Sequence, residues 1–133
     1  MEHHFDVCVV GGGSGGFGAA VSAARNGARV LLVEAGGGLG GTSTWAGVNN
    51  YEAVAGATGL PQEVYNRLRE IPGAVTLQRR SVYNRDEGPW GQFARAEETD
   101  YRLSLSRRSG VPISFEPELL SDLMVTMVSE SKA

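Results

Sequence analysis

Apolar positions near the start of the chain form two short unbroken runs on either side of an amphipathic stretch. Residues 5–10, Phe5-Asp6-Val7-Cys8-Val9-Val10, are mainly β-favouring and end at glycines, the pattern of a buried strand. Residues 14–26 are rich in alanine, with Phe17, Ala20, Val21 and Ala24 at helical spacing and Gly27 as the stop. Residues 29–34, Arg29-Val30-Leu31-Leu32-Val33-Glu34, form the second apolar strand. Strand, helix and strand within about 30 residues make a βαβ unit, whose parallel strands require a right-handed crossover.

Beyond this unit the pattern loosens. Residues 36–57 are a glycine-rich loop with no sustained period. Pro61 opens a helix with Val64, Tyr65, Leu68 and Ile71 on one face, and Pro72 closes it. Residues 73–91 scatter β-formers (Val75, Leu77, Val82, Tyr83) among turn residues and are read as irregular, with at most one short strand. Residues 92–109 predict a polar helix closed by Gly110. A final helix begins at Pro117 and buries a core stripe of Leu119, Leu120, Leu123, Met124, Met127 and Val128. The fold class is α/β, an incomplete parallel sheet followed by helices and irregular loops.

Composition narrows the function classes. The 133 residues fit one domain, and a formal charge of -3 without a like-charge block argues against a nucleic-acid or membrane-surface partner. No apolar run approaches the roughly 18 residues of a membrane span. The first six residues lack a cationic signal start, so the expected location is cytoplasmic. A single cysteine, Cys8, excludes an internal disulfide or a cysteine-based zinc site, and its mid-strand place reads as a small buried apolar residue. His3 and His4 read as surface residues, and no metal site is expected. Glycine is the unusual component: 13 of the 19 fall between Gly11 and Gly47, so close backbone approach is concentrated in one region.

Gly11, Gly13 and Gly16 fit G-x-G-x-x-G between a strand and a helix, the Rossmann-like arrangement for a dinucleotide. Gly11 permits the sharp turn, Gly13 the approach of a pyrophosphate, and Gly16 the close packing of helix on sheet. Free N–H groups of the first helical turn, at Ser14, Gly15 and Gly16, then face the phosphates at the positive end of the helix dipole. Glu34 ends the second strand 18 residues after Gly16, where a carboxylate accepts hydrogen bonds from adenosine ribose hydroxyls and repels a 2′-phosphate, which disfavours NADP. No Lys-Ser or Lys-Thr follows the last glycine, so the loop is not a P-loop.

This unit alone does not separate NAD from FAD. Residues 39–50 carry a second glycine element, in which Gly40 and Gly41 are followed by Thr42, Ser43, Thr44, Trp45, Ala46, Gly47, Val48 and Asn49. It resembles the second FAD-contacting stretch of flavoproteins with two dinucleotide-binding domains. In the disulfide reductases of that superfamily the stretch reads G-G-T-C-x-x-x-G-C. Ser43 and Val48 occupy the cysteine positions here, which excludes dithiol chemistry at the loop. The words GGTSTWAGVNN, GxTGLPxE at residues 56–63, GPWGQF at 88–93 and SGVPISFEPELL at 109–120 are more similar to the family called FAD-dependent oxidoreductase. The family commonly has a basic residue after the ribose acid, where Ala35 and Gly36 stand here, and often glycine in place of Ala46.

The resemblance implies FAD as cofactor and hydride transfer between a small organic substrate and flavin. The implied contacts are Gly11, Gly13, Ser14, Gly15, Gly16, Glu34, Ala35, Gly40, Gly41, Thr42, Ser43, Thr44, Gly47, Val48 and Asn49. Residues 1–133 then read as the N-terminal part of an FAD-binding domain: nucleotide unit 5–34, flavin-approach loop 36–57, and helical and irregular segment 58–133. Two strands are too few for an ordinary open sheet, so a truncated portion of a longer enzyme, inactive alone, is expected. An NAD-binding dehydrogenase domain, a non-catalytic nucleotide-binding module and an enzyme holding an adenylated product, as in thiazole synthesis, remain alternatives. No catalytic residue is assigned. Arg79, Arg80, Arg85, Asp86 and Glu87 read as a solvated loop, and Trp45, Tyr51 and Trp90 as either stacking or covering aromatics.

Overall fold

The computed structural model describes residues 3–51, 58–77 and 113–132. The chain divides into two compact units, Met1–Asn49 with Glu116–Ala133, and Asn50–Phe115.

The first unit is built on the βαβ segment. Strands β1 (Val7–Val10) and β2 (Val30–Val33) pair in parallel, with Val7 opposite Val30 and Val10 opposite Val33. A side-chain clamp holds the start of this pairing. Arg29 donates from its backbone N–H and from Nε to Asp6 Oδ2, both at 2.9 Å, and from its terminal guanidinium nitrogen to Oδ1 at 2.7 Å. The Arg29 guanidinium and its backbone N–H hold the Asp6 carboxyl well below the usual carboxylate range. Both partners are about half exposed or more, so the clamp sets register more than it adds stability.

Helix α1 (Ser14–Arg25) connects the two strands and buries Phe17, Ala20 and Val21. It ends in a paired carbonyl satisfaction: Gly27 N–H donates to Ala24 and Ala28 N–H to Ala23. This closure requires a left-handed residue at Gly27, whose φ is 92°. The third α-helix among the described residues, α3 (Pro117–Ser131), returns to pack on α1 and buries Leu120, Leu123, Met124 and Met127. Its stripe is therefore core, as the spacing predicts, with Leu119 and Val128 at its half-buried margins.

Two expectations are corrected here. The strands are four residues each, shorter than the runs at 5–10 and 29–34, and Asp6 and Arg29 just before them form the clamp. They are also not buried on both faces. Val30 is buried and Val9 and Leu32 are half-buried on the α1 side, whereas Cys8, Val10, Leu31 and Val33 are exposed on the opposite side. Cys8 is thus an exposed free thiol instead of a core residue. Among the described residues of this unit no helix covers that face.

The second unit is a three-stranded antiparallel sheet in the order β3–β5–β4: β3 (Asn50–Tyr51), β4 (Val75–Leu77) and β5 (Ile113–Phe115). Tyr51 pairs with Ile113, and Val75 with Phe115. The Tyr51 and Phe115 rings pack at 4.7 Å between centroids. Helix α2 (Leu60–Leu68) has its proline in the first turn and buries Val64, Tyr65 and Leu68. An Arg67–Glu63 ion pair one turn apart, at 3.1 Å, supports it. Ile71 lies past the helix end and is only half-buried. The expected helix at 92–109, the acidic and basic residues at 79–87, and Trp90 lie outside the described residues.

Two measurements test this account. Leu120→Ala, which empties a fully buried site between the helices, is expected to lower urea-unfolding stability by about 2–5 kcal/mol. Asp6 stabilises the fold fully above the ordinary carboxylate value of 3.8, and its contribution declines as the pH falls from there. Asp6→Asn is therefore expected to flatten the acid side of the stability–pH curve; an unchanged slope would show that the clamp is not formed.

Candidate functional site

The glycine loop begins where β1 ends. Gly11 N–H extends the strand ladder by donating to the Val33 carbonyl at 2.7 Å, and the chain then turns with Gly11 at φ 97°. Gly13 is the N-cap of α1, and no side-chain cap bond occupies the first turn. The first amide to find a carbonyl within the helix is Phe17, which donates to Gly13. The amides of Gly15 and Gly16 precede it and have no helical carbonyl four residues back, which leaves them directed out of the helix end. A Cβ on Gly16 would collide with the Gly11 carbonyl oxygen. The sharp turn and the close packing that the motif requires are thus both present.

The second glycine element meets the first through the backbone. Gly40 N–H donates to the Gly12 carbonyl at 2.8 Å, and Gly13 and Gly40 form an isolated parallel bridge. A Cβ built on Gly41 would stand 3.0 Å from the Gly13 Cα. Residues 41–43 then wind into a single 3₁₀ turn, with Ser43 buried at 6% exposure. Thr44 donates its hydroxyl to the Leu39 carbonyl at 2.8 Å, which closes the turn. Sequence spacing placed these elements in order; the structure puts them in contact.

Glu34 ties the first glycine element to the end of β2. Its Oε2 accepts the Gly12 N–H at 2.5 Å and its Oε1 accepts the Gly36 N–H at 2.6 Å. These bonds, that from Gly36 first and that from Gly12 next, hold the carboxyl below its ordinary value. The acid is therefore ionised at neutral pH and fixed in place, with one side chain bracing loop and strand end together. Two oxygens offer about four acceptor directions, so two backbone bonds leave capacity for hydroxyl donors.

Gly11, Gly13, Ser14, Gly15, Gly16, Glu34, Gly40 and Gly41 thus fall in one region, with Thr42, Ser43 and Thr44 in the adjoining turn and Ala35 exposed beside Glu34. Gly47, Val48 and Asn49 follow on the surface, and their backbone bonds stay within their own segment: Val48 to Thr42 and Asn49 to Gly47. Two contributors escape the motif. Gly12 occupies a position where the pattern allows any residue, yet a Cβ there would run into Leu39 and Glu34. Leu39, buried at 7% exposure, is the apolar wall that Gly12 abuts. Three consecutive glycines were the available signal for Gly12; Leu39 had none.

The model of the family described as FAD dependent oxidoreductase matches residues 6–133. The chain belongs to that family. FAD is accordingly its cofactor, and the cradle fits one: converging backbone without side chains, free first-turn amides, and a fixed carboxylate one strand away. The chain is also similar to a glutathione reductase from Schizosaccharomyces pombe, 60% identical over 38 residues. That match covers 29% of this chain and 8% of the relative, so the chain corresponds to a small part of that protein's length. No solved structure matches it. No helix of the described residues is long and apolar enough to cross a membrane.

The cradle makes a paired prediction. Gly16→Ala is expected to destabilise the fold by about 1–3 kcal/mol, since the collision is with backbone, and to weaken ADP binding. Gly15→Ala, where a Cβ meets nothing within 4 Å, is expected to leave the thermal melting temperature unchanged. Equal effects of the two substitutions would contradict the geometry.

Proposed function

We propose that this chain holds the adenosine-diphosphate half of FAD in a flavin-dependent oxidoreductase that moves hydride between a small organic substrate and the flavin. The observation that carries the reading is the backbone junction of residues 12–13 with 40–41, braced by Glu34. An NAD site is served by the first glycine element alone; the second, built against it, resembles the flavoprotein stretch that runs on from the pyrophosphate toward a flavin.

In this reading the first-turn amides of α1 bind the pyrophosphate, and the dipole of the helix favours its charge. Glu34 uses its remaining acceptor capacity for the ribose hydroxyls. Thr42, Ser43 and Thr44 line the way onward, and residues 47–49 approach the flavin. Flavin, when bound, would supply the redox chemistry by exchanging hydride with the substrate. The chain's own part is to fix the dinucleotide.

The test is direct. Purified protein is examined for visible flavin absorbance, then stripped and titrated with FAD, NAD and ADP. Binding of FAD and ADP supports the reading; a colourless chain that refuses FAD yet binds NAD overturns it. Glu34→Ala is expected to weaken ADP binding by about tenfold, the loss of charge-assisted hydrogen bonds to the ribose together with the loop brace. Unchanged affinity would reject the ribose role. Because the carboxyl is held below its ordinary value of 4.5, ADP affinity is expected to stay level through neutral pH and to fall only on the acid side of the carboxylate range.

A further inference from the structure

Trp45 is a large aromatic side chain that the fold leaves 66% exposed. It is nevertheless held in place. Its backbone N–H donates to the Gly41 carbonyl at 2.8 Å, and its indole Nε1 donates to the Gly38 carbonyl at 3.3 Å. The ring lies along the glycine run that follows Glu34. A Cβ on Gly37 would stand 3.3 Å from the six-membered ring, so the run gives the indole room to rest on bare backbone. A Cβ on Gly36 would stand 3.5 Å from Trp45 Nε1 and 3.2 Å from Glu34 Oε1. The indole and the carboxylate therefore flank the same point, on the same side of the loop.

We propose that Trp45 is the adenine platform of the site, a specificity-determining residue on which the base stacks while Glu34 takes the ribose. This deepens the proposed function and rests on it. The position favours adenine over flavin, because the ring lies along residues 36–38, beside the Glu34 carboxylate that takes the ribose. One side of the indole is occupied by glycine backbone and its polar nitrogen already has an acceptor. What remains for a ligand is an open aromatic surface, which binds a planar base and offers nothing to a phosphate. Residues 36–38 have a part in the same device: a side chain at Gly36 or Gly37 would press on the ring.

The experiment uses the full chain with Trp90→Phe, which makes Trp45 the sole tryptophan, and two probes, ADP and inorganic pyrophosphate. ADP is expected to change Trp45 emission, and pyrophosphate to bind without doing so. Trp45→Ala is expected to lower ADP affinity by about five- to 150-fold, the range for losing one base–aromatic stack, and to leave pyrophosphate affinity unchanged. Trp45→Phe is expected to recover most of the ADP affinity. Unchanged ADP affinity in Trp45→Ala overturns the platform alone. Equal loss for both probes also overturns it, since the residue then only supports the loop. A parent chain that binds neither ADP nor FAD overturns the proposed function, and the platform with it.

Discussion

Residues 12–13 and 40–41 approach one another as bare backbone, and the remainder of the site is arranged around that approach. A Cβ on Gly41 would press on the Gly13 backbone, and one on Gly12 or Gly40 would run into Leu39 or Thr44, so side chains at these positions would disturb the approach and the 3₁₀ turn that follows. Placing the segments in contact requires the tight turn out of β1 on one side and the path around from β2 on the other. Parallel pairing of β1 and β2 delivers both at the same sheet end. The Asp6–Arg29 clamp at the opposite end sets which residues face each other, so it determines at a distance where Glu34 emerges.

Glu34 converts this geometry into electrostatics. An exposed carboxylate in water gains little from a neighbouring dipole, but one that accepts two backbone N–H groups is fixed in both charge and direction. The same two bonds occupy the Gly12 and Gly36 amides. The loop thereby separates its donors into those already engaged by Glu34 and those, at Gly15 and Gly16, that lie at the open helix end. In the proposed function, specificity for the sugar and affinity for the phosphates then come from neighbouring parts of one small segment.

Much of this was legible in the sequence, for identifiable reasons. The βαβ unit rests on two short apolar runs and on a helix with a clear period between them, and both glycine elements stand at fixed offsets from it. The α3 stripe was legible because Leu120, Leu123, Met124 and Met127 keep helical spacing. The antiparallel sheet was not: strands of two or three residues are too short to show alternation, and the partners Tyr51 and Ile113 are far apart in sequence. Cys8 was misread because an apolar run reports hydrophobicity and not which face finds a cover. Leu39 and Trp45 escaped a firm role because their meaning depends on the fold of a loop without a period.

The return of α3 to α1 has a topological consequence. The first unit is made of two segments, and the whole of the second, residues 50–115, is spliced between them. Closing such a loop costs entropy that grows only with the logarithm of its length, about 0.6 kcal/mol for each doubling. The spliced unit is therefore free to lengthen, shorten or be exchanged over evolutionary time at small cost to the first. A nucleotide cradle fastened by its own returning helix is a chassis, and what is mounted on it can diversify while the cradle stays the same.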